Sequence, residues 1–222
     1  MCGRYTQKEK VDNLLKLLQV IRKPLLTPRY NISPSQMAAC VRHAPENDHR
    51  ECVMMKWGLI PAWAANPSIG SKLINARGET VAEKPSFRKS FKSQRCLILA
   101  DGFYEWKQEG KVKQPYYIRF KDHRPFVFAG LWERWTKAGP TIQSCTVITT
   151  TPNALMKPVY HRMPVILSPQ DYATWLDPSI HDPADLLVLL APLASDEMEA
   201  FPVSTLVNNP QNDRPECIEL LR

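Results

Sequence analysis

The sequence predicts a single compact domain of mixed α+β class, and three observations support this prediction. The chain has 222 residues, of which 44% are hydrophobic and 9% aromatic, which is enough for one substantial core. It contains 20 prolines and only 8 glycines, which predicts many short elements joined by stiff turns, because proline disrupts helix interiors and central strands. Segments typical of strands are concentrated in the middle of the chain. We expect the domain to span residues 1–222, with the least distinct pattern in the polar tail after about residue 201.

The predicted elements are short and follow one another closely. A helix is expected over residues 6–20, because apolar residues recur at helical spacing between Val11 and Leu18 and Thr6 is a suitable N-terminal cap. Residues 24–34 are expected to form a proline-punctuated connector. Strand-like composition predicts strands over residues 38–43, 51–59, 94–100, 103–107, 115–120, 126–132 and 144–149. Short helices are expected over residues 151–156, 169–176 and 182–190.

Composition excludes several classes of protein. No apolar run approaches the roughly 20 residues that span a bilayer, and no apolar signal segment begins the chain, so we expect a soluble cytoplasmic protein. The six cysteines include no C-x-x-C pair, so neither a metal site nor a disulfide framework is expected, and no cofactor. All the cysteines but Cys2 are interpreted as small packing residues.

The positive charge is distributed in a way that suggests an anionic partner. The formal net charge is +7, and Arg4, Arg77 and Arg162 each stand among apolar or small residues. Three such guanidinium groups favour a groove that follows phosphates. The alternative is that each arginine forms an internal ion pair with a carboxylate.

Cys2 is the most informative single residue. A residue this small at position 2 predicts removal of Met1, which would leave Cys2 with a free α-amine beside its thiol. Such a 1,2-aminothiol traps aldehydes: the amine forms a Schiff base, and the thiolate closes on the imine carbon to give a thiazolidine. The sequence therefore predicts a nucleophile specific for carbonyl groups.

Further polar residues stand out from the predicted scaffold. Asn75 and Arg77 lie two positions apart in an extended segment and therefore share a face. Glu105 lies between Tyr104 and Trp106, whose aromatic rings would desolvate its carboxyl group and raise its pKa for proton transfer. An ordinary outward-facing strand glutamate is the alternative.

Two aromatic segments complete the set of candidates. Tyr160 and His161 directly precede Arg162, and His161 is the histidine most suited to a functional role, because the others lie in charged loop segments. The segment from Trp57 to Trp63 is suited to stacking on bases or wedging into the end of a duplex. For Trp57 a place in the core is an equally good interpretation.

These motifs together resemble the SOS-response-associated peptidase (SRAP) family. The resemblance rests on ordered blocks that run from residue 1 to beyond residue 164: MCGRY, RYN with Pro34, WGLIP, INAR, DGFYEW and RMP. It implies a mainly antiparallel, barrel-like sheet with short peripheral helices. It also implies a protein that senses abasic sites in single-stranded DNA and attaches to them covalently.

The resemblance assigns a role to each candidate residue. Cys2 would form the thiazolidine, Asn75 would position Cys2 and the sugar, and Glu105 would shuttle protons during Schiff-base chemistry of the lyase type. The positions that match DNA contacts are Arg4, Asn31, Pro34, Trp63, Arg77 and Arg162. The family is also associated with removal of its own initiator methionine. The expected protein is a monomer that associates with the nucleoid when bound to DNA.

The sequence departs from the family pattern at two positions. Relatives commonly carry histidine two residues before the arginine of the RMP block, where this chain has Tyr160. Either His161 takes that role, or the Tyr160 hydroxyl does, or reversal of the crosslink is slower. Ala64 stands where relatives can carry a second tandem tryptophan.

Two other functions remain open at the level of sequence. The opening Met-Cys-Gly also occurs in glutamine amidotransferases, in which an N-terminal cysteine attacks an amide. A non-covalent binder of single-stranded DNA would use the same basic and aromatic residues without needing Cys2.

Overall fold

The computed structural model of the protein describes residues 2–46 and 49–221. Its strands are β1 (Arg4–Gln7), β2 (Val20–Arg22), β3 (Arg29–Ile32), β4 (Met37–His43), β5 (Arg50–Trp57), β6 (Asn75–Arg77), β7 (Arg95–Ala100), β8 (Gly102–Glu109), β9 (Val112–Phe120), β10 (Phe126–Trp135), β11 (Ile142–Thr150), β12 (Met163–Pro164) and β13 (Met198–Pro202). Its α-helices are α1 (Asp12–Leu17), α2 (Arg88–Ser93), α3 (Tyr172–Leu176) and α4 (Pro183–Leu187).

Five strands close into a barrel. Antiparallel pairing runs from β11 through β10, β7 and β4 to β5, and β5 then pairs in parallel with β11. All six residues of β7 are buried, because both faces of this strand are covered by protein. A short continuous apolar run is the sequence pattern that such a strand requires. Strands β6 and β12 extend the sheet from β11, and β2 extends it from β5.

A second sheet, in the order β13-β9-β8-β1-β3, packs against one side of the barrel. Tyr5 of β1 joins the two layers, since its ring lies 5.3 Å from that of Trp57 and 5.7 Å from that of Phe128, centroid to centroid. Edge-on contacts of this kind add to the stabilisation from apolar burial. The α-helices cover other apolar residues of the barrel strands, with Trp175 of α3 fully buried among them. The mixed α+β class and the barrel-like antiparallel sheet with short helices are confirmed.

All seven predicted strands are present, with ends that differ by a few residues. The helix predicted over residues 6–20 is wrong in its first half, because residues 4–7 form β1 and the helix begins only at Asp12. Thr6 is not a helix cap: its hydroxyl donates a hydrogen bond to the Asp101 side chain, and β1 pairs with both β3 and β8. The connector predicted over residues 24–34 likewise contains β3. Pairing with distant strands outweighs local helical preference at both places.

The predictions in the last third of the chain are only partly correct. Residues 151–156 form turns and no helix, because the Asn153 side chain accepts the backbone N–H of Met156 and closes a turn instead. The segment 169–176 begins with a 3₁₀ turn and continues as α3, and 182–190 divides into α4 and a further 3₁₀ turn. The tail is well packed, since Val203, Val207 and Cys217 are fully buried.

The structure agrees with the expected roles of the cysteines. Cys40, Cys52, Cys96, Cys145 and Cys217 are free thiols and buried. Across residues 2–46 and 49–221, no cluster of side chains suits a metal ion, and none of the helices is long and apolar enough to cross a membrane.

Candidate active site

Cys2 lies two residues before β1, on the side of β8 that carries Glu105. The antiparallel register pairs Arg4 with Tyr104, and this brings the residues that precede β1 close to Glu105. The Cys2 side chain is fully buried, and its Sγ lies 3.9 Å from the carbonyl oxygen of Arg4. Burial, with the negative charge of Glu105, raises the pKa of the Cys2 thiol well above its usual range. The thiol is therefore protonated at rest and needs a base to become a nucleophile.

Asn75 holds the backbone of Cys2 in place. Strand β6 runs parallel to β11, with Asn75 opposite Val147, and this pairing directs the Asn75 amide toward the start of the chain. Its Nδ2 donates a hydrogen bond of 2.9 Å to the carbonyl oxygen of Cys2. Its Oδ1 is buried and has no hydrogen-bond partner within the described residues. A buried acceptor of this kind is suited to receive a hydrogen bond from a ligand.

Glu105 is buried on β8, where it pairs with Tyr116 of β9. Only 2% of its surface is exposed. Burial raises the pKa of Glu105 to about 7, because the charged carboxylate is poorly solvated there. A group with this pKa is present in both protonation states near neutral pH, which is the requirement for a residue that both accepts and donates protons.

Tyr160 and His161 lie next to Glu105 on the turn that follows β11. Their rings lie 4.3 Å apart, centroid to centroid, and are tilted by 38°. Tyr160 is half-buried, and burial together with the charge of Glu105 raises the pKa of its phenol. His161 is exposed on the outer side of this pair. The charge of Glu105 thus acts on the Tyr160 phenol.

An open cleft of about 1030 Å³ joins these residues to the surface. Five of the residues selected from sequence line it, namely Arg4, Pro34, Glu105, Tyr160 and His161. Cys2 and Asn75 do not line the cleft themselves, but Cys2 directly precedes the lining residue Gly3. The remaining lining residues are Gly3, Trp106, Lys107, Gln108, Lys113, Lys157, Pro158, Val159 and Asn208.

Arg4 and Asn31 form one hydrogen-bonded unit with the C-terminal segment. The Arg4 guanidinium donates to Asn31 Oδ1 at 3.0 Å and to the carbonyl oxygens of Val207 and Asn208 at 2.5 and 3.2 Å. Asn31 is fully buried, and its Nδ2 donates to carbonyl oxygens of the same segment. On this geometry Asn31 orients Arg4, and it has no exposed atoms with which to touch DNA.

Among the described residues, Arg162 is paired with a carboxylate inside the protein, whereas Arg77 is not. Arg162 is 9% exposed and donates two hydrogen bonds to the Glu79 carboxylate, at 2.5 and 2.9 Å, and one to the carbonyl oxygen of Thr149 at 2.7 Å. The guanidinium in turn holds the pKa of Glu79 below its usual range. Arg77 is exposed at the end of β6, and its side chain makes no hydrogen bond or ion pair with the residues that the structure describes. The internal ion pair anticipated as an alternative is therefore formed by Arg162.

The two aromatic residues of the 57–63 segment have different environments. Trp57 is buried, and its Nε1 donates to the carbonyl oxygen of Ile74 at 2.8 Å, so it belongs to the core. Trp63 is 55% exposed and lies outside the lining of the cleft. Ala64 is buried, and its carbonyl oxygen accepts the Nε1 hydrogen of Trp135. The Trp63 ring is thus available to stack on a base. Because position 64 is alanine, no second tryptophan stands beside it.

Sequence reasoning missed part of the wall of the cleft. Asn208 lies in the tail, and its Oδ1 accepts the Nε1 hydrogen of Trp106 at 2.8 Å. Lys107, Lys113 and Lys157 also line the cleft. No local pattern distinguishes these residues from ordinary exposed ones, because they meet only through the pairing of β8 with β9 and the packing of the tail.

The barrel, the added sheet and the cleft above Cys2 agree with a known class of protein. A family model described as SOS response associated peptidase (SRAP) matches residues 1–210, and the chain belongs to this family. The chain is 45% identical over 224 residues to the protein named Abasic site processing protein YoqW of Bacillus subtilis (strain 168), with 99% of each chain covered. It is 35% identical to Abasic site processing protein HMCES of Xenopus tropicalis, with 86% of this chain and 65% of that protein covered. A crystal structure of a protein from Bacteroides thetaiotaomicron superposes with a TM-score of 0.87 at 27% identity, covering 100% of both chains.

Proposed function

We propose that this protein processes abasic sites in single-stranded DNA by forming a covalent thiazolidine through Cys2. The observation that carries the proposal is the placement of Cys2 beside Glu105, a buried carboxyl group whose pKa is raised to about 7. Relatives bearing the name abasic site processing protein support the choice of substrate. The ring-opened sugar of an abasic site is an aldehyde, which is the group that a 1,2-aminothiol traps.

The reaction requires a free amine on Cys2. While Met1 is attached, the Cys2 nitrogen belongs to a peptide bond and is not nucleophilic. Met1 lies outside the described residues, and its removal, by the protein itself or before it acts, is part of the proposal. Hydrolysis of the peptide bond consumes one water and releases methionine.

The chemistry then runs in two bond-forming steps. The neutral Cys2 amine adds to the C1′ aldehyde, and loss of one water gives the imine. The Cys2 sulfur adds to the imine carbon while its proton passes to the nitrogen, which closes the five-membered ring. The net change is aldehyde plus aminothiol giving thiazolidine plus water, and no oxidant or reductant is needed.

Glu105 supplies the proton transfers in these steps. As an acid it protonates the departing hydroxyl group during imine formation, and as a carboxylate it accepts the proton of the buried Cys2 thiol. Asn75 keeps the Cys2 carbonyl fixed, and its free Oδ1 is available to a sugar hydroxyl or to the amine. Orientation of this kind makes the reaction effectively unimolecular, because both reacting groups are already in position.

The DNA strand is proposed to lie across the cleft. Arg77 offers an exposed guanidinium to a phosphate, Pro34 and Trp63 offer apolar surface to bases, and Arg4 and Arg162 contribute positive charge from fixed positions. Tyr160, next to Glu105, is proposed to exchange protons with it in place of the family histidine. The protein is proposed to act as a monomer.

The test uses protein whose N-terminus has been verified by mass and a single-stranded oligonucleotide with one abasic site. A heat-stable protein–DNA band is expected, and it should be absent with Cys2→Ala and with an undamaged strand. If the undamaged strand binds equally well and no heat-stable band forms, the protein is a non-covalent binder. If neither binding nor crosslinking occurs, glutamine hydrolysis becomes the function to assay.

A further inference from the structure

We propose that Lys113 and Lys157, which line the cleft, bind phosphates of the DNA strand that lead away from the lesion. The inference deepens the proposed function and rests on it, because it takes single-stranded DNA as the occupant of the cleft. It assigns a phosphate-binding role to two residues outside the family motifs.

The arginines near the cleft have few free N–H groups with which to bind phosphates. Arg4 already donates to two backbone carbonyl oxygens and to Asn31, and Arg162 is bound by the Glu79 carboxylate. Each can attract a phosphate through its charge, but most of its N–H groups are occupied. Arg77 is exposed but does not line the cleft. The cations of the cleft with donors to spare are therefore lysines.

The β8–β9 hairpin presents the first of them. Lys113 lies on β9 opposite Gln108, and its ammonium group makes no hydrogen bond or ion pair with any described residue. Its neighbour Lys107 is different, because it forms an ion pair of 2.9 Å with Glu109. A strand pair fixes the backbone of both lysines, so Lys113 extends from a rigid support.

Lys157 lies on a different element, the turn that precedes Tyr160. Asn153 fixes this turn: its Oδ1 accepts the N–H of Met156, its Nδ2 donates to the carbonyl oxygen of Leu193, and its own carbonyl accepts the N–H of Lys157. The Lys157 side chain is exposed and is not paired with any residue in the described part of the chain. The two free ammonium groups therefore border the same opening from separate elements.

The charge and size of the cleft suit a polyanion. Its lining holds Arg4 and three lysines against one carboxyl group, that of Glu105. Clefts lined by one sign of charge concentrate ligands of the opposite sign. At about 1030 Å³ the cleft is slightly larger than the range of about 300–1,000 Å³ for small-molecule sites, which leaves room for nucleotides beside the reacting one.

The experiment measures reversible binding of an undamaged fluorescent oligothymidylate in a Cys2→Ala background, as a function of salt. Each phosphate neutralised on a single strand contributes about 0.7 to the slope of log affinity against log salt. Lys113→Gln with Lys157→Gln should reduce the magnitude of the slope by about 1.4 and weaken binding at low salt by about tenfold or more. The matched control, Lys10→Gln with Lys16→Gln, makes the same change of charge at exposed lysines outside the cleft.

Arginine replacements at both positions should preserve the slope, because they keep the charge. An equal slope for the cleft pair and the control pair would overturn the inference. Crosslinking by the protein with intact Cys2 is measured in parallel. If the slope changes but no crosslink ever forms, the lysines bind DNA and the proposed function fails; if crosslinks form but the slope does not change, only the role of the lysines is wrong.

Discussion

Replacement of Glu105 by glutamine should make the protein more stable at alkaline pH while impairing its chemistry. The wild-type carboxyl group has a pKa of about 7 in the folded protein, against an ordinary value of 4.5. A folded-state pKa above the unfolded value means that the group's stability contribution is fully present below about pH 4.5 and is lost as the pH rises through about 7. At alkaline pH the ionised Glu105 carboxylate therefore destabilises the folded protein.

The size of this cost follows from the shift. A difference of about 2.5 pH units corresponds to about 3 kcal/mol in full, most of which develops between about pH 5 and about pH 8.5. The Glu105→Gln variant keeps the shape of the side chain and has nothing to ionise. The free energy of unfolding of the variant, minus that of the wild type, should therefore rise by about 2–3 kcal/mol over this interval.

The assay is urea unfolding of both proteins at each pH, with Glu83→Gln as the control. Glu83 is exposed, so its replacement controls for the loss of one carboxyl group at the surface. A flat difference between Glu105→Gln and the wild type would refute the reasoning, because it would mean that the carboxyl group does not titrate near pH 7. Crosslinking by the same variant should fall by about 10²–10⁴-fold, the usual contribution of a positioned acid or base.

The remaining predictions concern the residues around this site. Asn75→Ala should slow single-turnover crosslinking by about fivefold, because it removes one hydrogen bond to Cys2 worth about 1 kcal/mol; an unchanged rate would show that Cys2 is held by other contacts. Tyr160→Phe should lower the crosslinking rate more than His161→Ala, since the phenol is the group influenced by Glu105, and the reverse order would assign the role to His161. Gly102→Ala should lower stability by about 1–3 kcal/mol in urea unfolding, because its Cβ would lie 2.2 Å from the Tyr117 hydroxyl oxygen. Gly78→Ala should cost much less, because the nearest atom is a methyl of Leu190 at 3.3 Å.

The barrel strands could be predicted from sequence because their signal is local. Strands such as β7 and β10 are runs of apolar residues long enough for a strand and covered on both faces, so composition alone identifies them. Strand β1 carries no such signal. It forms because Asp101 binds the Thr6 hydroxyl and accepts the backbone N–H groups of Lys8 and Glu9, which fixes the chain that follows β1.

The site was predictable to the extent that it depends on motifs. Cys2, Asn75 and Glu105 are brought together as expected, but Tyr104 and Trp106 do not bury Glu105, because they lie on the opposite face of β8 and pack against the tail. The pairing of Arg162 with Glu79 was not visible, because the sequence does not show which of many carboxylates an arginine meets. Asn208 could not be found either, since it reaches the cleft only through the packing of the tail on β3 and β8.

Intact mass spectrometry of the crosslinked product would show whether Cys2 itself forms a thiazolidine with the lesion. We expect an adduct whose mass is the protein without Met1 plus the abasic strand minus one water, formed without any reductant, with the modification confined to the N-terminal peptide. An adduct that appears only after borohydride reduction, or that maps to a lysine, would contradict the proposed chemistry, because it would show an ordinary Schiff base in place of the closed ring.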